Sequence, residues 1–160
     1  SILKNIKPNI VDFDNHLATI FTEVRLKKYI EIRSLDTCEW DCHCGGPAFY
    51  VGLLYGNLNE AFDIINKWKP SEVLNAYINA PKTGLNTLIE NRTILEWGKI
   101  FLSLSRKGLK KRSIKNDAGK DESIFLRSIE SILTNEKTKA EITIEKFKKN
   151  NSIFTNICSI

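Results

Sequence analysis

The sequence predicts an α+β fold in which a region of antiparallel strand precedes a mostly helical half. Three observations support this prediction. Charged and aliphatic residues alternate between Glu23 and Arg33, the stretch from Pro47 to Tyr55 is apolar all round, and apolar residues recur at helical spacing after Thr93. A period of two is typical of strands, whereas recurrence at three and four residues is typical of amphipathic helices.

The composition fits one globular domain over residues 1–160. The 160 residues are 42% hydrophobic and 27% charged, which lies in the usual range for folded chains. No apolar run approaches the roughly 20 residues that span a bilayer, so no membrane partner is expected. Four cysteines are too few for a disulfide-rich secreted scaffold, which favours a reducing, cytoplasmic setting. The net charge of +5 alone does not indicate a nucleic-acid partner.

The strand region is predicted over about 17–36. Between Glu23 and Arg33 the even positions carry aliphatic residues, interrupted only by Lys28, and the odd positions are mostly charged. Side chains leave a strand on alternate faces, so the aliphatic face is expected to pack on a core. Two interpretations of the charged face remain open. Glu31 and Arg33 either project into one site that binds Mg²⁺ and an anion, or they form cross-strand salt bridges in solvent.

The helical region is predicted over about 47–149, after an irregular start at 1–11 and a short turn capped by Asp14 or Asn15. Pro47 suits the first turn of a buried helix. Further helices are expected from Asn57 or Asn59 to Trp68, from Ser71 to Ile78, from Thr93 to Ser105, and over about 122–134 and 138–149. Pro70, Pro81 and Gly84 are expected to separate helices, because proline lacks an amide donor and glycine commonly ends a helix.

A cysteine-rich loop follows the strand region. Cys38, Cys42, His43 and Cys44 suggest a zinc cluster, but Cys42 and Cys44 are closer in sequence than zinc ligands usually are. The remaining cysteine, Cys158, is far away in the chain. Ordinary thiols are therefore favoured, although a disulfide from Cys38 is possible under oxidising conditions.

A basic run extends from Arg106 to Lys115. It is either a nucleic-acid patch or the cationic end of a helix. The helix end is favoured, because few aromatic residues interrupt the run and cations stabilise the last carbonyl groups of a helix. Trp40 differs from the other aromatic residues, since it lies in a polar loop where it is expected to cover a ligand.

A succession of segments between about residue 12 and about residue 147 resembles one enzyme family. It runs through His16-Leu-Ala-Thr-Ile-Phe-Thr-Glu-Val-Arg-Leu-Lys-Lys-Tyr-Ile-Glu-Ile-Arg33, Arg33-Ser-Leu-Asp36, Trp40, Cys44, Pro47-Ala-Phe-Tyr-Val-Gly-Leu-Leu-Tyr55, Thr83-Gly-Leu-Asn-Thr87, Arg106-Lys-Gly-Leu-Lys110 and Phe125-Leu126. In this order the segments resemble the plant and proteobacterial glutamate–cysteine ligases.

The resemblance implies an ATP-dependent ligase that joins the side-chain carboxylate of glutamate to the amine of cysteine through a γ-glutamyl phosphate, the first step of glutathione synthesis. It implies ATP and Mg²⁺ as cofactors and an antiparallel catalytic sheet similar to that of glutamine synthetase. The family's metal-binding glutamate maps onto Glu31 and its phosphate-facing catalytic arginine onto Arg33. Arg25 matches an arginine expected to contact a substrate carboxylate or phosphate, and Trp40 is expected to join the substrate and ATP site.

The resemblance also implies that this chain is the carboxy-terminal part of a longer enzyme. Its expected partner is the amino-terminal remainder, which would supply the other metal carboxylates and much of the ATP site, so the chain alone is expected to be inactive. Ser34 and Leu35 replace the family's Gly and Ala, and the usual W-G-Q-S ending is absent. The alternatives are a basic helical nucleic-acid-binding domain, a zinc module, and a related ligase with another amine acceptor.

Overall fold

A computed structural model describes residues 7–36 and 38–150. The chain divides into two units, with the boundary after Thr37. The first is called the hairpin unit and the second the helical unit, and each has its own secondary structure. The single domain predicted over 1–160 stays a prediction.

Helix α1 (Ile10–Ala18) opens the hairpin unit. Asn9 caps it, because its side chain accepts hydrogen bonds from first-turn amides while the Asp12 carboxylate accepts one from the Asn9 amide. The expected irregular start is confirmed at residues 7–9 and is wrong at 10–11, which are helical, and the expected cap at Asp14 or Asn15 is wrong. The asparagine and the acidic residue three positions later are the sequence signal of this helix start.

Strands β1 (Val24–Leu26) and β2 (Ile30–Ile32) pair antiparallel, with Arg25 opposite Glu31. The alternating segment is thus a hairpin and not one continuous strand. Its turn covers residues 27–29. Lys28, which interrupts the aliphatic positions, lies in that turn, so the break in the pattern marks the reversal of the chain.

The aliphatic side of the hairpin is exposed. Val24, Leu26 and Ile30 are 55%, 81% and 62% exposed, so the expected interior face is wrong for this chain. Two three-residue strands form one layer, and α1 buries none of its residues. Within residues 7–36 a second layer that would cover these side chains is missing.

The helical unit confirms the mostly helical half of the predicted α+β fold. Its elements are α2 (Gly45–Val51), α3 (Leu58–Ile65), α4 (Pro70–Thr83), β3 (Leu88–Ile89), β4 (Arg92–Thr93), α5 (Ile94–Arg112), α6 (Arg127–Asn135) and α7 (Lys139–Asn150). A π-helical turn, Gly52–Gly56, continues α2, and 3₁₀ turns occupy Trp40–Cys42, Gly84–Asn86 and Glu122–Leu126. Within the two described ranges, no helix is long and apolar enough to cross a bilayer.

Pro70 separates α3 from α4, as predicted, whereas α4 departs from the prediction at Pro81. Pro70 begins the helix, where a missing amide donor leaves no bond unmade. Pro81 lies in its last turn, where proline removes a single hydrogen bond, and the helix continues to Thr83. Gly84, with φ +53°, then ends the helix in a conformation that residues with a Cβ rarely adopt.

The short β3–β4 hairpin has no counterpart in the sequence prediction. Its turn residues Glu90 and Asn91 have φ of +47° and +61°. Side chains from α4 and α5 hold it, since the Glu90 amide donates to the Glu72 carboxylate and the Trp97 indole donates to the Ile89 carbonyl at 2.9 Å. Strands of two residues carry no detectable period, so only these tertiary contacts identify them.

Helix α5 is the centre of the core. One cluster of buried residues contains Ala48, Leu102, Leu109, Leu126 and Leu133, and a second contains Leu53, Ala61, Phe101 and Leu104. Leu109 and Leu126 are completely buried. Each such side chain contributes about 1.5–3 kcal/mol relative to its exposed state.

Helix α5 crosses the π-helical turn at backbone contact. A Cβ on Gly52 would collide with Ser105, and one on Gly108 would collide with the carbonyl of Gly52. The buried Ser105 hydroxyl donates to the Phe49 carbonyl at 2.9 Å, so the polar group at this crossing is satisfied. The crossing explains why small residues occur in both Val51-Gly-Leu-Leu-Tyr55 and Arg106-Lys-Gly-Leu-Lys110.

Candidate functional site

Arg25, Glu31 and Arg33 lie together on one face of the β1–β2 hairpin and are called the arginine–glutamate group. The guanidinium of Arg25 donates through Nε to Glu31 Oε2 at 2.7 Å, and its Nη2 lies 2.7 Å from the same oxygen. The other oxygen, Oε1, lies 4.0 Å from Arg33 Nη1. The group follows from register, because Arg25 and Glu31 are direct cross-strand partners and Arg33 shares their face.

Local contacts orient both guanidinium groups. Arg25 Nη1 donates to the carbonyl of Ala18, at the end of α1, at 2.8 Å. The Arg33 guanidinium carbon lies 4.7 Å from the centre of the Phe21 ring, which is a cation–π contact. The three charged side chains retain between 14% and 33% of their exposure, so they are partly shielded and still accessible.

The electrostatics of the group favour an anion. The hydrogen bond from Arg25 lowers the pKa of the Glu31 carboxyl below its ordinary value, with smaller contributions from the positive charges of Arg25, Arg33 and Lys27. Glu31 is therefore ionised at neutral pH, and one carboxylate stands against two guanidinium groups. The excess positive charge and the planar donor array of arginine suit a phosphate or a carboxylate.

An open cleft of about 410 Å³ adjoins Arg25. It is lined by Asp14, Leu17, Ala18 and Leu26 together with the basic residues Arg25, Lys27 and Lys28. Three cations against one carboxylate give this cleft the same preference for a negatively charged ligand.

Magnesium does not fit the described residues without further ligands. Mg²⁺ takes an octahedral set of oxygen ligands, whereas Glu31 is one carboxylate whose Oε2 is already paired with Arg25. Over residues 7–36 and 38–150, no three histidine, cysteine or acidic side chains are grouped so that they could hold a metal ion. The metal-binding role of Glu31 stays a prediction that requires carboxylates from elsewhere in a longer enzyme.

Trp40 belongs to the helical unit. It is 87% exposed and stacks on His43, with ring centres 6.0 Å apart. Such an exposed indole is available to a ligand, and its expected place in the substrate and ATP site stays a prediction.

The cysteines of the loop do not form a metal cluster. No disulfide joins Cys38, Cys42 and Cys44 to one another. Cys42 is buried with its sulfur 3.0 Å from the Glu39 carbonyl, Cys38 is half-buried, and Cys44 is exposed. Within residues 7–36 and 38–150, these thiols belong to no group of three histidine, cysteine or acidic side chains that could hold a metal ion. The zinc alternative gains no support here, while Cys158 lies outside the described residues.

The basic run agrees with the helix-end interpretation. Lys110, Lys111 and Arg112 form the last turn of α5, and Ser113 ends the helix in the left-handed conformation. Arg106 and Arg112 are paired with Glu130 and Glu122 at 3.0 and 3.3 Å. Cations at this position stabilise the helix carbonyl groups, so the run has a structural role.

Sequence reasoning missed two parts of the site. Phe21, which contacts Arg33, was expected to be an ordinary member of the strand region, and the Ala18 carbonyl that binds Arg25 belongs to a helix that was not predicted. A signal for Phe21 exists, because it is an exposed aromatic residue beside a charged alternating segment. No signal identifies a particular carbonyl group.

Comparisons with known proteins identify the family to which the chain is similar. The model of Glutamate-cysteine ligase family 2 (GCS2) matches residues 3–151. A rice protein (Oryza sativa subsp. indica) named glutamate–cysteine ligase A, chloroplastic, is 37% identical over 136 residues, which are 84% of this chain and 26% of the relative. A glutamate–cysteine ligase, chloroplastic, of Arabidopsis thaliana is 36% identical over 142 residues, or 88% of this chain and 26% of the relative.

These relatives correct one expectation and confirm another. The tomato relative (Solanum lycopersicum), 34% identical over 142 residues, is also named chloroplastic, so the expected cytoplasmic setting is wrong and the names point to a plastid. The chain spans about a quarter of the length of the curated relatives that it matches, with 26% coverage for the three described here. The match over residues 3–151 and the shared identity over most of the chain confirm the resemblance, and the chain belongs to glutamate–cysteine ligase family 2.

Proposed function

We propose that this chain is part of an ATP-dependent ligase that joins the γ-carboxylate of glutamate to the amine of cysteine through a γ-glutamyl phosphate. The observation that supports the proposal most is the arginine–glutamate group, in which two oriented guanidinium groups flank one carboxylate on a single hairpin face. Family membership supports the ligase class. The partner of this chain in the proposal is the remainder of the same enzyme.

Arg33 is the proposed catalytic residue. In the first step an oxygen of the glutamate γ-carboxylate attacks the γ-phosphorus of ATP, and the bond to ADP breaks. Negative charge develops on the phosphoryl oxygens, and Arg33 stabilises that charge with its in-plane donors. Arg33 directly follows β2, and its backbone amide donates to the Glu23 carbonyl at 2.8 Å, so its position beside Glu31 is set before the reaction, which avoids a reorganisation cost.

Arg25 is proposed to bind a carboxylate or phosphate of the substrates. Its Nε and Nη2 are engaged by Glu31 and its Nη1 by the Ala18 carbonyl, so its orientation is fixed beside the cationic cleft. In the second step the cysteine amine attacks the acyl carbon, and the phosphate group leaves as inorganic phosphate. Trp40 is proposed to cover part of the bound substrates.

Glu31 is proposed to hold Mg²⁺ together with carboxylates from the remainder of the enzyme. The ion, when bound, would neutralise charge on the ATP phosphates. Glu31 in this chain already has a second action, because its ionised carboxylate keeps Arg25 in place.

The direct test measures ADP release by the complete ligase that contains this chain. We expect release that requires glutamate and cysteine together, and no turnover by the isolated 160 residues, because one carboxylate cannot assemble the metal site. Turnover by the isolated chain would refute the proposed division of the site. ADP release with another amine and none with cysteine would establish the alternative acceptor.

Arg25→Ala in the complete ligase is expected to raise the KM of a substrate, since it removes a charged ligand contact. Arg92→Ala is the control, because the Arg92 guanidinium belongs to the helical unit, where its carbon lies 5.6 Å from the centre of the Trp97 ring. An Arg25→Ala enzyme with unchanged KM for ATP, glutamate and cysteine would remove Arg25 from the binding site.

A further inference from the structure

Phe21 is a large apolar side chain that is 79% exposed, yet its ring contacts a charge. The guanidinium carbon of Arg33 lies over the ring at 4.7 Å from its centre. An exposed phenylalanine gains little from burial here, so the contact with Arg33 is the main interaction that the structure gives this ring.

Arg33 is held less tightly by its carboxylate than Arg25 is. Its Nη1 lies 4.0 Å from Glu31 Oε1, which is beyond hydrogen-bond distance, whereas Arg25 lies 2.7 Å from Oε2. Long-range attraction at 4.0 Å leaves the direction of a guanidinium group weakly determined. The ring of Phe21 supplies the short-range contact that Glu31 does not.

The chemistry of the contact leaves Arg33 competent to bind an anion. A phenylalanine ring has no conventional hydrogen-bond acceptor, so the cation–π contact leaves the N–H donors of Arg33 for an oxyanion. The ring also excludes water from the side of the guanidinium that it covers, which strengthens the interaction of those donors with an oxyanion.

We propose that Phe21 is a positioning residue for Arg33, whose cation–π contact fixes the guanidinium for a phosphate of ATP. The proposal rests on the proposed function, in which Arg33 binds that phosphate. Phe21 itself touches no substrate in this account and acts only through Arg33.

The experiment compares Phe21→Leu and Phe21→Tyr in the complete ligase by the KM for ATP and by kcat. A cation–π contact at an exposed site corresponds to roughly a two- to fivefold change, so Phe21→Leu is expected to raise the KM for ATP by about that factor. Phe21→Tyr keeps the aromatic face and is expected to restore the KM. The exposed position predicts an unchanged melting temperature for both variants.

A matched control exists in the helical unit. Tyr55 is 73% exposed and its ring centre lies 5.5 Å from the guanidinium carbon of Arg112, which is paired with Glu122. Tyr55→Leu removes the same kind of contact from an arginine that has no proposed role in binding, and we expect no change in the KM for ATP.

Three comparisons decide the outcome. In an Arg33→Ala background, Phe21→Leu is expected to add nothing, since the cation on which the ring acts is gone. An unchanged KM in Phe21→Leu, an equal additional loss in the Arg33→Ala background, or failure of Phe21→Tyr to restore the KM would each overturn the inference. If Arg33→Ala itself leaves the KM and kcat unchanged, the proposed function fails first, and the two failures are thereby distinguished.

Discussion

Each unit of this chain contains an arginine paired with a glutamate beside an exposed aromatic ring. In the hairpin unit these are Arg33, Glu31 and Phe21, and in the helical unit they are Arg112, Glu122 and Tyr55. The two groups have similar exposure, with 25% and 33% for the first pair and 29% for both members of the second. They differ in charge, because the arginine–glutamate group of the hairpin unit contains a second arginine, Arg25.

From this difference in charge we infer that the group of the helical unit contributes to stability and the group of the hairpin unit to function. The group of the helical unit is electrically balanced and lies at the end of α5, whose other residues form the core. The group of the hairpin unit carries an excess positive charge in a unit whose aliphatic side chains are exposed. We therefore expect substitutions in the helical unit to change folding and substitutions in the hairpin group to change turnover.

The largest expected effect is on folding. Leu109→Ala is expected to lower the free energy of unfolding of the helical unit by about 2–5 kcal/mol, because Leu109 is completely buried and its truncation leaves a cavity. Leu26→Ala, at a site 81% exposed, is expected to change the free energy of unfolding by less than about 0.5 kcal/mol. Urea unfolding followed by tryptophan fluorescence measures both. Equal changes in the free energy of unfolding for the two variants would contradict the expected difference between the units.

The next effect is on turnover. Glu31→Gln is expected to reduce kcat of the complete ligase by roughly 10²-fold, because the amide no longer carries the charge that holds Arg25 and is proposed to hold Mg²⁺. The melting temperature is expected to change little. Glu122→Gln is the matched control, since Glu122 pairs with Arg112 at 3.3 Å in the helical unit. A normal rate in Glu31→Gln would place the catalytic carboxylate elsewhere.

A smaller effect is expected at the helix crossing. Gly108→Ala is expected to destabilise the helical unit by about 1–3 kcal/mol, because its Cβ would overlap the Gly52 carbonyl and the backbones would have to separate. Lys107→Ala, next to it on the exposed face of α5, is expected to be nearly neutral. Thermal unfolding of the two variants distinguishes a close backbone crossing from ordinary helix packing.

The smallest effect concerns pH. The hydrogen bonds from Thr93 lower the pKa of Glu96, which caps α5, below the ordinary value of 4.5. A lowered pKa in the folded state means that this contribution is present above pH 4.5 and is lost as the pH falls through the lowered pKa. The difference in urea midpoint between the natural chain and Glu96→Gln is therefore expected at neutral pH and to disappear in acid.

The long helices were predictable because their signals are local. The apolar spacing after Thr93 and the box formed by Thr93 and Glu96 identify α5 from the sequence, and the structure has its cap at Thr93. The same kind of signal at Asn9 and Asp12 was overlooked. Pro81 misled the prediction, since proline in a last turn costs a single bond and does not have to end the helix.

The site was predictable in part. Alternation places Glu31 and Arg33 on one face, and the structure has both there. The reversal of the chain at 27–29 was not predicted, although it brings Arg25 directly opposite Glu31. When a hairpin turn has an odd number of residues, the even positions of both strands lie on one face and the odd positions on the other. The alternation therefore looks the same as in a single strand, and it does not distinguish a hairpin from one strand. Lys28 was the only residue in the pattern that marked the difference.

The most direct test of the account compares two single substitutions in the complete ligase by steady-state ADP release. Arg33→Ala removes the arginine of the hairpin group, and Arg112→Ala removes its counterpart in the helical unit, which has a similar carboxylate and ring beside it. We predict a loss of kcat of roughly 10²-fold or more for Arg33→Ala and a change within about twofold for Arg112→Ala. Equal rates for the two variants would contradict the claim that the hairpin face carries the chemistry.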